Sequence, residues 1–184
     1  MPTTIVEEGV YYRPEDYAGV WRRLLIEGID FGVAFALSIA ITMLLLAAVM
    51  PADSESQAFA DRLTWILLIV WPAIWFLYLV ILKRTRIRTL GYLIGRARIV
   101  NLKGEMPGIL PLTIRLAFAT LGPINVITDL FWITGDDNRQ ALRDKFAGTY
   151  VINKWAQPAG RGKVVYRSYS MMFNFIFREV KRPG

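Results

Sequence analysis

Arg23, Glu27 and Asp30 stand at i, i+4 and i+7 in the stretch WRRLLIEGID, directly before twenty residues that carry no charge. On a helix this spacing sets all three on one face. A carboxylate at the mouth of an apolar segment is costly unless it is paired or hydrated. Asp30 therefore has two chemical readings. It could bind a proton or a cation, or it could lock its helix to a basic residue on another. Glu27 can reach back to Arg23 along the same face. Late in the chain, RQALRDKFAGT sets Gln140, Arg143 and Asp144 side by side at i, i+3 and i+4. Its ordinary reading is a solvated, charged helix ended by Gly148. Arg115 and Asp129 form a third candidate set, because both fall inside an apolar stretch.

Other chemistries are poorly served. The 184 residues contain neither His nor Cys. That removes the usual general base near neutral pH, thiol nucleophiles, disulfides, and the commonest ligands of zinc and haem. TLGYLIGRAR spaces Gly91 and Gly95 without a Walker Lys-Ser/Thr, and the HExxH and EF-hand patterns do not occur. We expect no enzyme, no catalytic residues, no metal and no cofactor.

The elements that must position these charges are membrane helices. The chain is 54% hydrophobic and 20% charged, with a net charge of +7. Its long apolar runs point to a lipid bilayer as partner, not a nucleic acid. Residues 31–50 and 63–82 are uncharged runs of twenty. Each covers roughly 30 Å as a helix, one hydrocarbon core. Spans are expected over about 29–50 and 63–82. Pro72 would kink the second, which a membrane helix tolerates. The first seventeen residues are polar and acidic, unlike a secretory signal.

The loop between the spans carries three acids and one Arg, whereas residues 83–103 carry seven Lys/Arg and no acid. The positive-inside rule sets that basic loop and the N-terminus in the cytoplasm. The third apolar region, about 107–134, is broken at Gly122-Pro123. As one kinked span it would export a tail, residues 135–184, with ten Lys/Arg and four acids. As a re-entrant hairpin it keeps the tail inside and lets Arg115 and Asp129 pair across the turn, so the hairpin is favoured. RARIVNLKGE and GTYVINKW are β-prone and could form a small cytoplasmic sheet. In the tail, Val165, Tyr169, Met172, Phe173, Ile176, Phe177 and Val180 recur at helical spacing. A basic amphipathic helix is expected there, at the membrane surface or docked on a partner.

Three blocks together resemble the RDD family of small multi-pass membrane proteins. AGVWRRLLIEGID is similar to the family's opening, with Arg23 and Asp30 at the family spacing and Arg22 as a second candidate for the Arg. In TLGYLIGRARIV, Thr89, Gly91 and Arg98 match, while Tyr92 replaces the usual Lys. In RQALRDKFAGTYVI, Arg139, Leu142, Asp144, Ala147, Gly148 and Thr149 match, and Arg143 replaces the common His. The resemblance implies an RDD-like membrane domain over 18–152, between a polar cytoplasmic leader, 1–17, and a basic tail, 153–184. It implies family charges at Arg23, Asp30 and Asp144, supported by Arg22, Arg98 and Arg139; the spacing alone adds Glu27 as a support and Arg115 and Asp129 as a membrane-buried pair. Family members are often suggested to be transporters, some in sodium–proton exchange.

The resulting expectation is an all-α membrane protein in a bacterial-type inner membrane. It has two full spans, a broken or re-entrant third element and a C-terminal amphipathic helix, with the C-terminus cytoplasmic. It serves as an accessory, assembly or structural subunit of a larger complex. The alternative is an oligomeric cation or proton transporter working through Asp30. Expected partners are other membrane subunits or further copies of the chain. Anionic lipid headgroups would meet residues 83–103 and 160–184.

Overall fold

A computed structural model describes residues 7–49, 56–121, 123–136, 138–170 and 174–182. Strand β1 (Glu8–Tyr11) leads into α1 (Val20–Val49), a helix of 30 residues. The second apolar helix begins as α2 (Ser56–Trp65), continues through α3 (Trp71–Phe76), and ends at Leu82. Wider π-type turns at Ile66–Val70 and Leu77–Leu82 flank α3. They accommodate Pro72, which has no N–H to give to the helical ladder. Val20–Ala48 and Phe59–Leu82 are both long and apolar enough to cross a membrane.

The burial pattern of α1 is inverted relative to a soluble helix. Its buried residues include Arg23, Ile26, Asp30, Ala34, Ser38 and Thr42, one stripe of mostly polar or small side chains. Leu25, Phe35, Met43 and Leu44 are exposed. Ser38 and Thr42 bond back to the carbonyls of Ala34 and Ser38, and Trp71 Nε1 donates to Thr42 Oγ1 at 2.9 Å. Small and hydroxylated residues where helices meet, with bulky apolar ones outside, is the arrangement lipid favours. The core helix of a soluble protein would be mostly covered, yet only 17% and 22% of the most apolar windows of the two helices are buried.

Beyond Leu82 the chain forms a short helix α4 (Leu90–Ile94) and strand β2 (Ala97–Asn101). Two twelve-residue helices follow, α5 (Ile109–Thr120) and α6 (Pro123–Thr134). Next come α7 (Leu142–Ala147), β3 (Thr149–Asn153), β4 (Gly160–Ser170) and β5 (Asn174–Lys181). β2 and β3 pair antiparallel, with Ile99 opposite Val151. These are the two β-prone segments of the sequence. A second sheet has the order β1-β4-β5, all antiparallel. Tyr12, Tyr17 and Tyr150 pack edge-on among Val100, Leu102, Ile152 and Val180, joining the two sheets.

Two expectations need correction. With two sheets beside its helices, the chain does not fit an all-α description. The tail is a β-hairpin, not an amphipathic helix: Tyr166 stands opposite Arg178 and Val164 opposite Val180. Its consecutive apolar residues, such as Val164-Val165-Tyr166 and Phe175-Ile176-Phe177, satisfy a period of two as readily as one of 3.6. β-branched and aromatic residues then favour the strand, and β1 supplies a third strand to pair with. Met172 and Phe173 of the expected stripe lie outside the described residues.

Candidate functional site: a buried charge network

The stripe of α1 enters a cluster of charges contributed by five segments. Arg23 is 2% exposed. Its guanidinium donates to the Ala18 carbonyl at 3.0 Å and the Arg139 carbonyl at 2.8 Å, and it forms an ion pair with Asp144 of α7. The other oxygen of Asp144 pairs with Arg115 of α5. Asp144 is fully buried between these two guanidiniums and also accepts the Ala141 N–H at 3.2 Å. Arg115 donates further to Thr149 Oγ1 at 3.2 Å.

Arg143, next along α7, makes the second node. Its guanidinium pairs with Glu27 of α1, and its Nε with Asp129 of α6 at 2.8 Å. Asp30 makes the third. It accepts Thr89 Oγ1 at 2.7 Å and the Gly91 N–H at 2.7 Å, and Lys83 Nζ stands 3.5 Å away. A Cβ on Gly91 would intrude on the Ile26 carbonyl and lie 2.6 Å from Asp30 Oδ1. The glycine is what lets α4 approach α1 closely enough to donate its N–H. Four cations (Arg23, Lys83, Arg115, Arg143) thus face four carboxylates (Glu27, Asp30, Asp129, Asp144). Nearby, Lys145 pairs with Asp136 at 2.5 Å and with Glu179 of β5, tying the hairpin to α7.

A cavity of about 30 Å³ remains, lined by Glu27, Asp30, Lys83, Tyr92, Arg115 and Arg143. It has room for water or a bare ion and is roughly tenfold smaller than small-molecule sites. Lys83 lies one residue beyond the second apolar helix. Burial pushes its ammonium down to about 8 against the pull of Asp30, and the Arg115 cation adds to the lowering.

The structure therefore brings Arg23, Glu27, Asp30, Arg115, Asp129 and Asp144 into one network, with two pairings other than those expected. Glu27 pairs with Arg143, not with Arg23. Arg115 and Asp129 do not pair across their turn; α7 stands between them, taking Arg115 on Asp144 and Asp129 on Arg143. The solvated reading of α7 is also corrected, since Arg143, Asp144 and Lys145 are all buried. Arg139 contributes only its carbonyl to Arg23, and its side chain is exposed. Arg22 is half-buried. Arg98 lies on β2, where it donates to the Ala156 carbonyl at 2.6 Å. From the sequence alone, Lys83, Thr89, Arg143 and Lys145 have no assigned part in an ion-pair network. The available signal was a surplus of carboxylates on the α1 stripe that needed cations from elsewhere.

Two long helices with exposed apolar faces, the first with a mostly polar or small inner stripe, closed at one end by buried ion pairs and two sheets, define a small membrane protein. The sequence model of the RDD family matches residues 17–148. The chain belongs to the RDD family, as its three motif blocks suggest. No curated protein and no solved structure matches it.

Proposed function

We propose that the chain is an accessory, assembly or structural subunit of a larger membrane complex, with the charge network as the lock that fixes its apolar helices to the sheets at one end. Closure of the network carries this reading. Each of the four carboxylates is held by at least one cation, and Asp30 has three donors around it. A carrier must release such a charge in one of its states, and the 30 Å³ cavity leaves little space for cargo. The apolar outer faces of both long helices remain open to lipid or to partner helices.

In the same reading the protein is multi-pass in a cytoplasmic-type membrane. β1 and the tail hairpin share one sheet, and hence one side. The seven Lys/Arg of residues 83–103 support the cytoplasm for that side. α5 and α6, at about 18 Å each, are too short to cross a core of about 30 Å and form a re-entrant pair. Purification of the tagged full chain in mild detergent should recover membrane subunits at fixed stoichiometry. A chain that purifies alone in every mild detergent would overturn the subunit reading, and a periplasmic C-terminal reporter would overturn the topology.

Transport is the second reading, favoured by one observation: Asp30 and the lowered Lys83 ammonium line the same cavity. Proton or sodium flux in proteoliposomes that is lost in a folded Asp30→Asn variant would move the assignment there. Absence of flux removes it.

A further inference from the structure

A second cleft, of about 110 Å³, opens just beyond the second apolar helix, and Lys83, Thr85, Arg88, Arg98 and Met106 line it. Three cations and no carboxylate face this space. The contrast with the neighbouring network is chemical. There each guanidinium meets a carboxylate; here, among the described residues, neither Arg88 nor Arg98 has one within ion-pairing distance. Arg88 donates to the Ala97 carbonyl at 3.2 Å, and Arg98 to the Ala156 carbonyl at 2.6 Å. Arg98 Nε is buried with no acceptor. Leaving a charged donor unmet is unfavourable, so the cleft is short of an anion.

Two further observations agree. Burial, and next the Arg98 cation, lower the Arg88 pKa, so the two guanidiniums repel one another across the cleft. Arg88 is also held at φ 62°, a left-handed conformation that a non-glycine residue adopts at a cost of about 1–3 kcal/mol. A strained backbone that keeps one cation beside another is accounted for by a ligand that needs both. The volume limits that ligand. It is below the roughly 300 Å³ of ordinary small-molecule pockets and suits a single tetrahedral oxyanion. Planar guanidinium forks match phosphate oxygens, with Thr85 as a neutral donor.

We propose that this cleft is a phosphate-binding site, with Arg88 and Arg98 as its principal ligands and Lys83 and Thr85 completing it. Its place directly after Leu82 sets it at the level where a bilayer's phosphodiesters lie, and a free phosphate offers the same chemistry. Lys83 also stands beside Asp30, so a bound phosphate competes with that carboxylate for one ammonium. This inference does not depend on the subunit reading.

The test uses the full chain in a neutral maltoside detergent at constant ionic strength. Thermal shift and binding would be followed on adding inorganic phosphate in one arm. In the other arm, phosphatidylglycerol is compared with phosphatidylcholine in mixed micelles and by native mass spectrometry. Arg88→Gly and Arg98→Gln are set against Arg161→Gln, which removes an equally charged but exposed side chain on β4. Binding of either probe should fall about tenfold in each cleft variant and stay unchanged in Arg161→Gln. Arg88→Gly relieves the positive φ, so its unliganded melting temperature should hold or rise while binding falls. Retention of phosphatidylglycerol assigns the site to lipid, and saturation by inorganic phosphate alone assigns it to a free anion. No binding of either probe, or an equal loss in Arg161→Gln, overturns the proposal.

Discussion

Asp129 meets Arg143 twice: its Oδ1 accepts the backbone N–H and its Oδ2 forms an ion pair with Nε, both at 2.8 Å. The same guanidinium pairs with Glu27, so a single residue of α7 ties α6 to α1. Removing one partner of a buried pair leaves its charge uncompensated, which typically costs about 3–5 kcal/mol. Asp129→Ala should therefore lower the melting temperature clearly in a tryptophan-fluorescence melt. Asp129→Asn keeps an acceptor for the backbone N–H and should cost less. A melt of Asp129→Ala that coincides with the parent would show that α6 is held by other means.

Asp144 is the sole carboxylate contact recorded for both Arg23 and Arg115 among the described residues. Asp144→Asn leaves two buried guanidiniums facing a neutral amide. Adding Arg115→Leu removes one of them, so the double variant should be more stable than the sum of the two single changes, by about 0.5–3 kcal/mol in a denaturation cycle. The exposed Glu8–Arg161 pair makes the contrast, since its removal should cost less than about 1 kcal/mol. Strict additivity at Asp144 and Arg115 would contradict their shared node.

High pH tests the packing between the sheets. Burial raises the pKa of Tyr12, Tyr17 and Tyr150 above the ordinary phenol value of 10.0. A raised folded value means that the unfolded chain loses these protons first. Their contribution is complete below pH 10 and declines as pH climbs through the folded values. Lys145 acts in the same direction: burial lowers its pKa, but Asp136 and Glu179 more than compensate and leave it raised. The share of stability from these tyrosines and Lys145 should be level from pH 7 to 9 and fall above about 10, while Lys83, lowered to about 8, adds stability with the opposite sign as pH rises past 8; the tyrosine share is read separately, as tyrosinate absorbance that appears only on unfolding. Ionisation of all eight tyrosines in the still-folded chain would refute the buried cluster.

The spacing of Arg23, Glu27 and Asp30 was legible in the sequence because a helix has one period, and the structure puts all three on the inner side of α1. Their partners were not legible. Asp144 is 121 residues from Arg23, and Lys83 and Thr89 lie in a loop whose basic residues read as a topology signal. Arg143-Asp144-Lys145 resembles a surface patch in one dimension; only the chains folded around it supply the opposite charges that allow burial. The β2–β3 sheet was readable because both segments are short and rich in β-branched residues and the first ends in a Lys-Gly turn, although β3 is buried on both faces instead of alternating. The tail was misread because dense apolar runs fit both periods, and the deciding factor, an open sheet edge at β1, lies about 150 residues away.

The corrected tail gives a sharp test of its own. In the hairpin Tyr166 and Arg178 are direct neighbours across β4 and β5. On a continuous helix their separation of twelve positions would cover about 18 Å, far beyond the roughly 7 Å limit for a disulfide. The chain has no native Cys, so the combination Tyr166→Cys with Arg178→Cys reports on this pair alone. Mild oxidation should cross-link it rapidly, visible as a mobility shift reversed by reductant; slow or absent cross-linking would restore the helix. The hairpin is also part of the fold, not an appendage. Phe177 is 1% exposed and packs edge-on against Phe146 of α7 at 4.9 Å, while Glu179 reaches Lys145. Phe177→Ala should cost about 3–5 kcal/mol through the cavity it leaves. Deleting residues 160–184 should melt the charge network, not merely release a partner, and a truncated chain with the parent's thermal stability would return the tail to a docking role.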